Sequence, residues 1–184
     1  MNKSNQIQQA TQSLKNGNLI GYPTESVYGF GVDPFNESAI QKLQSLKSRP
    51  SDSSFLMIAA NLEQIKKYID CNEINILNKM IQPADHPMTW VCPASNLMPK
   101  FLWGPNKTIA IRITHFPLCK QLCELFDGPI ISTSANFKGE TPAKTFTEMQ
   151  IFKDQLDMII DAPCGNATRP STLVDLITDK VYRK

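Results

Sequence analysis

Short apolar runs, mixed with helical segments in no regular order, constrain this chain most. Asn18 to Tyr22, Phe55 to Ala59, Met88 to Cys92, Thr108 to Ile113, Ile130-Ile131 and Met158 to Ile160 read as strands bounded by Gly, Pro and Asn. Leu173 to Leu176 and Val181 to Arg183 read as a closing hairpin across Thr178-Asp179. Between them, 5–16 places Ile7, Ala10 and Leu14 at helical spacing, and Asn36 caps a segment with Ala39, Ile40, Leu43 and Leu46 on one side. Asn61 with Gln64 resembles a capping box before Ile65 and Ile69. Glu73 to Ile81 and Thr145 to Phe152 are further helical segments, and Pro117 opens another that aligns Leu118, Leu122 and Leu125. Strict alternation of strand and helix is missing. That pattern predicts a single mixed-sheet α/β or α+β domain over 1–184 rather than a doubly wound nucleotide fold.

A chain of 184 residues can bury a sizeable core without staples. The charge balance is nearly even, 19 basic against 17 acidic residues, so a binding role for positive charge requires local concentration. Five cysteines, no Cys-x-x-Cys pair and a polar opening segment predict free thiols in a reducing, cytoplasmic setting. No run approaches the ~18 apolar residues of a membrane span, so no membrane partner is expected.

Gly21-Tyr22-Pro23-Thr24-Glu25-Ser26-Val27-Tyr28-Gly29-Phe30-Gly31 follows Leu19-Ile20 and reads as a loop that lets a ligand approach the backbone. Taken alone, an ordinary strand-to-loop turn is the better reading of it. Gly29-Phe30-Gly31 lacks the third glycine of a dinucleotide fingerprint. In Lys47-Ser48-Arg49-Pro50, the proline extends Arg49, so both cations share a face suited to polyphosphate; alternatively they only offset a helix C-terminus. Ser132-Thr133-Ser134-Ala135-Asn136 places small hydroxyl and amide groups at a strand end, fit for carboxylate, phosphate or ribose, or for a plain turn. Arg112 interrupts an apolar strand and faces either solvent or a ligand carboxylate. His115, Cys119 and Cys123 are spaced too far along a helix for a compact metal site, and Pro117 excludes His115 from that helix. Neither histidine sits in a nucleophilic motif.

Together these segments resemble the YrdC/TsaC family of threonylcarbamoyl-adenylate synthases. The loop is similar to the family's YPTE(T/A)VYGLG signature, Lys47 to Pro50 to its KxRP element, and Ala110 to Ile113 to its AVR(I/V) strand. Ser132 to Asn136 matches STSAN, and Pro170 to Asp175 matches PST(I/L)VD. Asp85-His86-Pro87-Met88-Thr89 departs from the family's Pro-Gly-Pro turn and brings His86 near the site without a role.

The resemblance implies a twisted mixed sheet with flanking helices around a concave basic groove, in the short single-domain form. It implies condensation of L-threonine, bicarbonate and ATP to threonylcarbamoyl-AMP with release of pyrophosphate, Mg2+ arriving with ATP. The product serves downstream proteins that modify position 37 of tRNA. By matching positions, Lys47, Arg49, Ser134 and Asn136 hold ATP, while Thr24, Arg112, Ser132 and Ser171 hold threonine, with no covalent nucleophile and no protein metal ligand. Glu25 braces the loop or remains without a role. Two other readings compete: a non-catalytic module that binds tRNA or double-stranded RNA, and a carbamoyl-transfer module for another acceptor.

Overall fold

The computed structural model describes residues 2–48 and 55–183. In chain order its elements are α1 (Lys3–Lys15), β1 (Ile20–Pro23), β2 (Tyr28–Val32), α2 (Glu37–Leu46), β3 (Leu56–Ala59), α3 (Ile74–Leu77), β4 (Met88–Pro93), β5 (Thr108–Ile113), α4 (Pro117–Phe126), β6 (Ile130–Ser134), α5 (Phe146–Met149), β7 (Met158–Ile159), β8 (Thr172–Asp175) and β9 (Val181–Arg183). The strands form one mixed sheet in the order β7-β1-β2-β6-β3-β5-β4-β8-β9. Pairs β1–β7, β3–β5 and β4–β8 are parallel and the rest antiparallel. The expected mixed sheet with flanking helices is present.

Alternation along the strands sends side chains to two cores. Tyr28, Phe30, Val32, Met57, Ile111 and Ile131 pack on one face with α2, Met149 and Phe152. On the other, Ile20, Tyr22, Ile58 and Ile130 pack beneath α1 and α4 through Ile7, Leu14, Leu118 and Leu122. Asn36 caps α2, its Oδ1 accepting from the Ala39 N–H at 3.0 Å, and Pro117 starts α4 where a missing N–H costs nothing. Among the described residues, no helix is long and apolar enough to cross a membrane.

Three local expectations need correction. The Gly21–Gly31 stretch is not a loop but a hairpin buried in the sheet, with Tyr22, Tyr28 and Phe30 fully enclosed. Its glycines serve packing: a Cβ on Gly31 would stand 2.7 Å from the Tyr22 ring, which lies across that position. After Asn61 only a 3-10 turn forms at Lys66–Tyr68; Asn61 Oδ1 accepts from Gln64 N, but Gln64 Oε1 turns to Ala60 N. Leu125 is 39% exposed, so the apolar face of α4 is Leu118, Cys119, Leu122 and Cys123. The segments at Glu73 to Ile81 and Thr145 to Phe152 each contain one short α-helix that tightens into a 3-10 turn.

Candidate active site

Sheet register assembles the site. Gly29 lies opposite Ser134, Ser132 opposite Leu56, and Leu56 opposite Ala110, while Arg112 lies opposite Ile58 on the same face. Small residues in that row leave space above the sheet. The result is a cavity of about 620 Å³ lined by Thr24, Arg112, Ser132, Ser134 and Ser171, which come from four separate parts of the chain. Four cations, Arg112, Lys144, Arg169 and Arg183, reach its lining, and no carboxylate does among the described residues. The local concentration of positive charge that the even overall balance required is here.

The turn between β1 and β2 carries the first of these groups. Thr24 N–H and Oγ1 both donate to the Val27 carbonyl, at 3.0 and 2.8 Å, which closes the turn and leaves the Thr24 oxygen free to accept. A second segment lies across it: Gly165 N–H donates to Thr24 O at 2.8 Å and Ala167 N–H to Glu25 O at 2.9 Å. Glu25 Oε1 accepts from Thr114 Oγ1 at 2.8 Å, and its Oε2 stands 3.4 Å from Arg112 Nη2. Arg112 is therefore neither of the two simple cases; it is buried, paired from one side and open to the cavity on the other.

Lys47 and Asn136 form a cluster at the cavity's edge rather than in its lining. Lys47, the C-cap residue of α2, is 4% exposed. Its ammonium donates to Ser134 O, Asn136 O and Asn136 Oδ1, at 2.8, 2.6 and 2.6 Å, and lies 5.7 Å from the Phe30 ring centre. Ser134 Oγ donates to the same Asn136 Oδ1, and Asn136 Nδ2 donates onward to the carbonyls of Phe137 and Glu140. Lys47 thus fixes the end of β6, and an anion that reached it would displace a carbonyl. Arg49 and Pro50, and with them the shared face expected of Lys47 and Arg49, lie outside the described residues.

The groups missed from sequence are Lys144, Arg169 and Arg183. Arg183 Nε and Nη2 both donate to Ser171 O, at 3.3 and 3.0 Å, and Thr89 Oγ1 shares a 2.7 Å hydrogen bond with Ser171 Oγ. A lone cation in the last strand was the available signal. His86 Nε2 is 2.8 Å from Thr172 Oγ1, so it braces the strand beside Ser171 without reaching this cavity.

Burial pushes the Cys92, Cys119 and Cys123 thiols well above their usual range, and Cys164 is raised by the same cause. Burial likewise raises the Tyr22 phenol; Ser132 lies near enough to offset this in part, but not in hydrogen-bonding geometry. No cluster of His, Cys, Asp or Glu suits a metal ion among the described residues.

The fold and site define an α/β protein whose mixed sheet floors a cation-rich, hydroxyl-lined cavity. The family described as "Telomere recombination", Sua5/YciO/YrdC, matches residues 12–184, and the chain belongs to it. The threonylcarbamoyl-AMP synthases of Coxiella burnetii and Pseudoalteromonas translucida are each 38% identical, over 96% and 100% of both chains respectively. The solved structure of P. abyssi Sua5 complexed with L-threonine superposes with a TM-score of 0.85 at 26% identity over 95% of this chain. The match covers 52% of that Sua5 chain, so this chain spans about half of its length.

Proposed function

We propose that this chain is a threonylcarbamoyl-AMP synthase, condensing L-threonine, bicarbonate and ATP and releasing pyrophosphate. The observation that carries the reading is the cavity itself: among the described residues, four cations and no carboxylate around a row of hydroxyls. Its volume of about 620 Å³ falls within the ~300–1,000 Å³ of small-molecule sites. The similarity to synthases of the same length and to a threonine-bound Sua5 supports the choice of substrates.

In the reaction the threonine amine attacks the bicarbonate carbon, losing a proton, and water departs to leave a carbamate. A carbamate oxygen then attacks the α-phosphorus of ATP, and pyrophosphate leaves with the electron pair of the broken P–O bond. Anions must be brought together, so the protein's task is neutralisation and placement rather than covalent catalysis. Arg112 pairs with the threonine carboxylate, with Thr24, Ser132 and Ser171 around the amino acid. Ser134 and Asn136 face the nucleotide. Lys47, Arg49, Lys144, Arg169 and Arg183 supply charge for the triphosphate, Lys47 partly through the turn it fixes.

Among the described residues the lining offers no carboxylate to hold Mg2+, so the ion would be carried by phosphate oxygens and water. The same reading makes 1–184 one catalytic domain in the cytoplasm, a setting supported by five free cysteines and by ATP as substrate. Its product goes to proteins that modify tRNA at position 37. An RNA-gripping role is disfavoured because the relatives matched over the full chain are synthases. The test is AMP-adduct formation or ATP–pyrophosphate exchange by the purified protein. Activity strictly dependent on both threonine and bicarbonate is expected, and its absence in folded protein overturns the proposal.

A further inference from the structure

Glu25 is a buried carboxylate at the site that the reaction as drawn does not use. It is absent from the 620 Å³ cavity and lines instead a second one of about 750 Å³, while Arg112 lines both. Seen from the first cavity, Glu25 therefore stands behind the Arg112 guanidinium. The two side chains are 15% and 10% exposed, with Glu25 Oε2 3.4 Å from Arg112 Nη2.

Glu25 is held by one hydrogen bond to its carboxylate and by two to the backbone carbonyls of its turn. Thr114 Oγ1 donates to Oε1 at 2.8 Å; Thr114 is 1% exposed and is itself anchored by its N–H on Ala59 O at 2.9 Å. The Glu25 backbone carbonyl is held by Ala167 N–H, and the preceding carbonyl by Gly165 N–H. Arg112 is held less completely: its Nε is buried without a hydrogen-bond partner, and so is Glu25 Oε2. The pair is joined by charge and not by saturated hydrogen bonds, so the guanidinium keeps donors for another carboxylate.

From this geometry we infer that Glu25 is a positioning residue: a fixed countercharge that keeps the Arg112 guanidinium at the cavity floor, aimed at the amino-acid carboxylate. The inference rests on Arg112 pairing with threonine's carboxylate, as proposed above. Without Glu25, no carboxylate among the described residues pairs with this deeply buried guanidinium, and an uncompensated buried charge is relieved when the side chain moves toward water. The arginine then leaves the position at which it meets threonine. ATP, held by other cations, is little affected.

The test compares wild type, E25Q, T114V and R112A as full-length proteins in threonine-dependent pyrophosphate release. Threoninamide, which lacks the carboxylate charge, serves as the second substrate. Losing a charged hydrogen-bonding partner corresponds to about a ten- to hundredfold effect, so E25Q should raise the threonine KM by that factor with ATP KM nearly unchanged. The preference for threonine over threoninamide should collapse with it, because a merely structural defect lowers the use of both alike. An E25Q enzyme that keeps the preference overturns the inference. Should E25Q not fold, T114V, which retains both charges but releases Oε1, should raise the threonine KM about two- to tenfold; an unchanged KM overturns it too. R112A separates the two levels. If R112A keeps the preference, the assignment of Arg112 fails and Glu25 falls with it; if R112A loses it while E25Q does not, only the role of Glu25 fails.

Discussion

Gly165 passes over Glu25 so closely that a Cβ on the glycine would stand 2.6 Å from the Glu25 carbonyl oxygen. Backbone occupies the other side of that contact, so no side-chain rotation can relieve it. Gly165→Ala must lift the 163–170 segment away from the Thr24–Glu25 turn and break the hydrogen bonds from Gly165 and Ala167. Overpacking of this kind costs about 1–3 kcal/mol. The variant should lose stability by that amount in denaturant titration and show a higher threonine KM. A variant with wild-type stability would mean that the crossing tolerates a methyl group.

Much of the fold was legible because its strands are continuous apolar runs. Met57, Ile58 and Ile111 announce themselves locally, as do Asn36 and Pro117 at helix starts. The hairpin strand Tyr28–Val32 was not legible as a strand, because glycines at positions 29 and 31 suggest a loop. Yet the signal was there at period two: Tyr28, Phe30 and Val32 face one core while the glycines face the other side. Of the cavity lining, Thr24, Arg112, Ser132, Ser134 and Ser171 stand in the segments that carry the resemblance to the family. The Glu25–Thr114 contact spans 89 residues, and nothing local encodes it.

Lys47 is expected to matter for stability as well as for ATP. Its ammonium serves three oxygen acceptors on Ser134 and Asn136, and Lys47→Met leaves them with a thioether that cannot donate. Asn136 Oδ1 keeps the bond from Ser134 Oγ and Ser134 O keeps one from Asn136 N–H, so the loss falls mainly on Asn136 O, and about 1–3 kcal/mol is expected. Thermal unfolding should show a lower Tm, and the ATP KM should rise. A raised ATP KM with unchanged Tm would point to direct phosphate contact without the bracing role.

Stability should also fall at high pH. The Tyr28 hydroxyl donates to Ala162 O at 2.6 Å, and burial pushes its pKa from 10.0 up to about 12. A phenol whose pKa is higher in the folded state binds its proton more tightly there. Its stabilising contribution is therefore whole below about pH 10 and is lost as pH rises toward about 12. Tyr28→Phe should lower stability by about 1 kcal/mol at neutral pH, through the lost hydrogen bond, and flatten this alkaline decline. Parallel pH–stability curves for the two proteins would rule the phenol out as its source.

Arg183 joins two roles that one substitution can separate. Its guanidinium adds charge to the cavity lining and, through Nε and Nη2, holds the Ser171 carbonyl. Arg183→Lys keeps the charge but loses the fork that spans two nitrogens. If charge toward the triphosphate is what matters, Arg183→Lys should retain most ATP use, while Arg183→Ala should raise the ATP KM about tenfold or more, in line with a lost charged hydrogen bond. If placement of Ser171 matters more, both variants should raise the threonine KM, and Arg183→Lys should fare little better than Arg183→Ala. The position of β9 at the edge of the sheet means that neither change disturbs a core residue, so the measured KM values report on the cavity and not on folding.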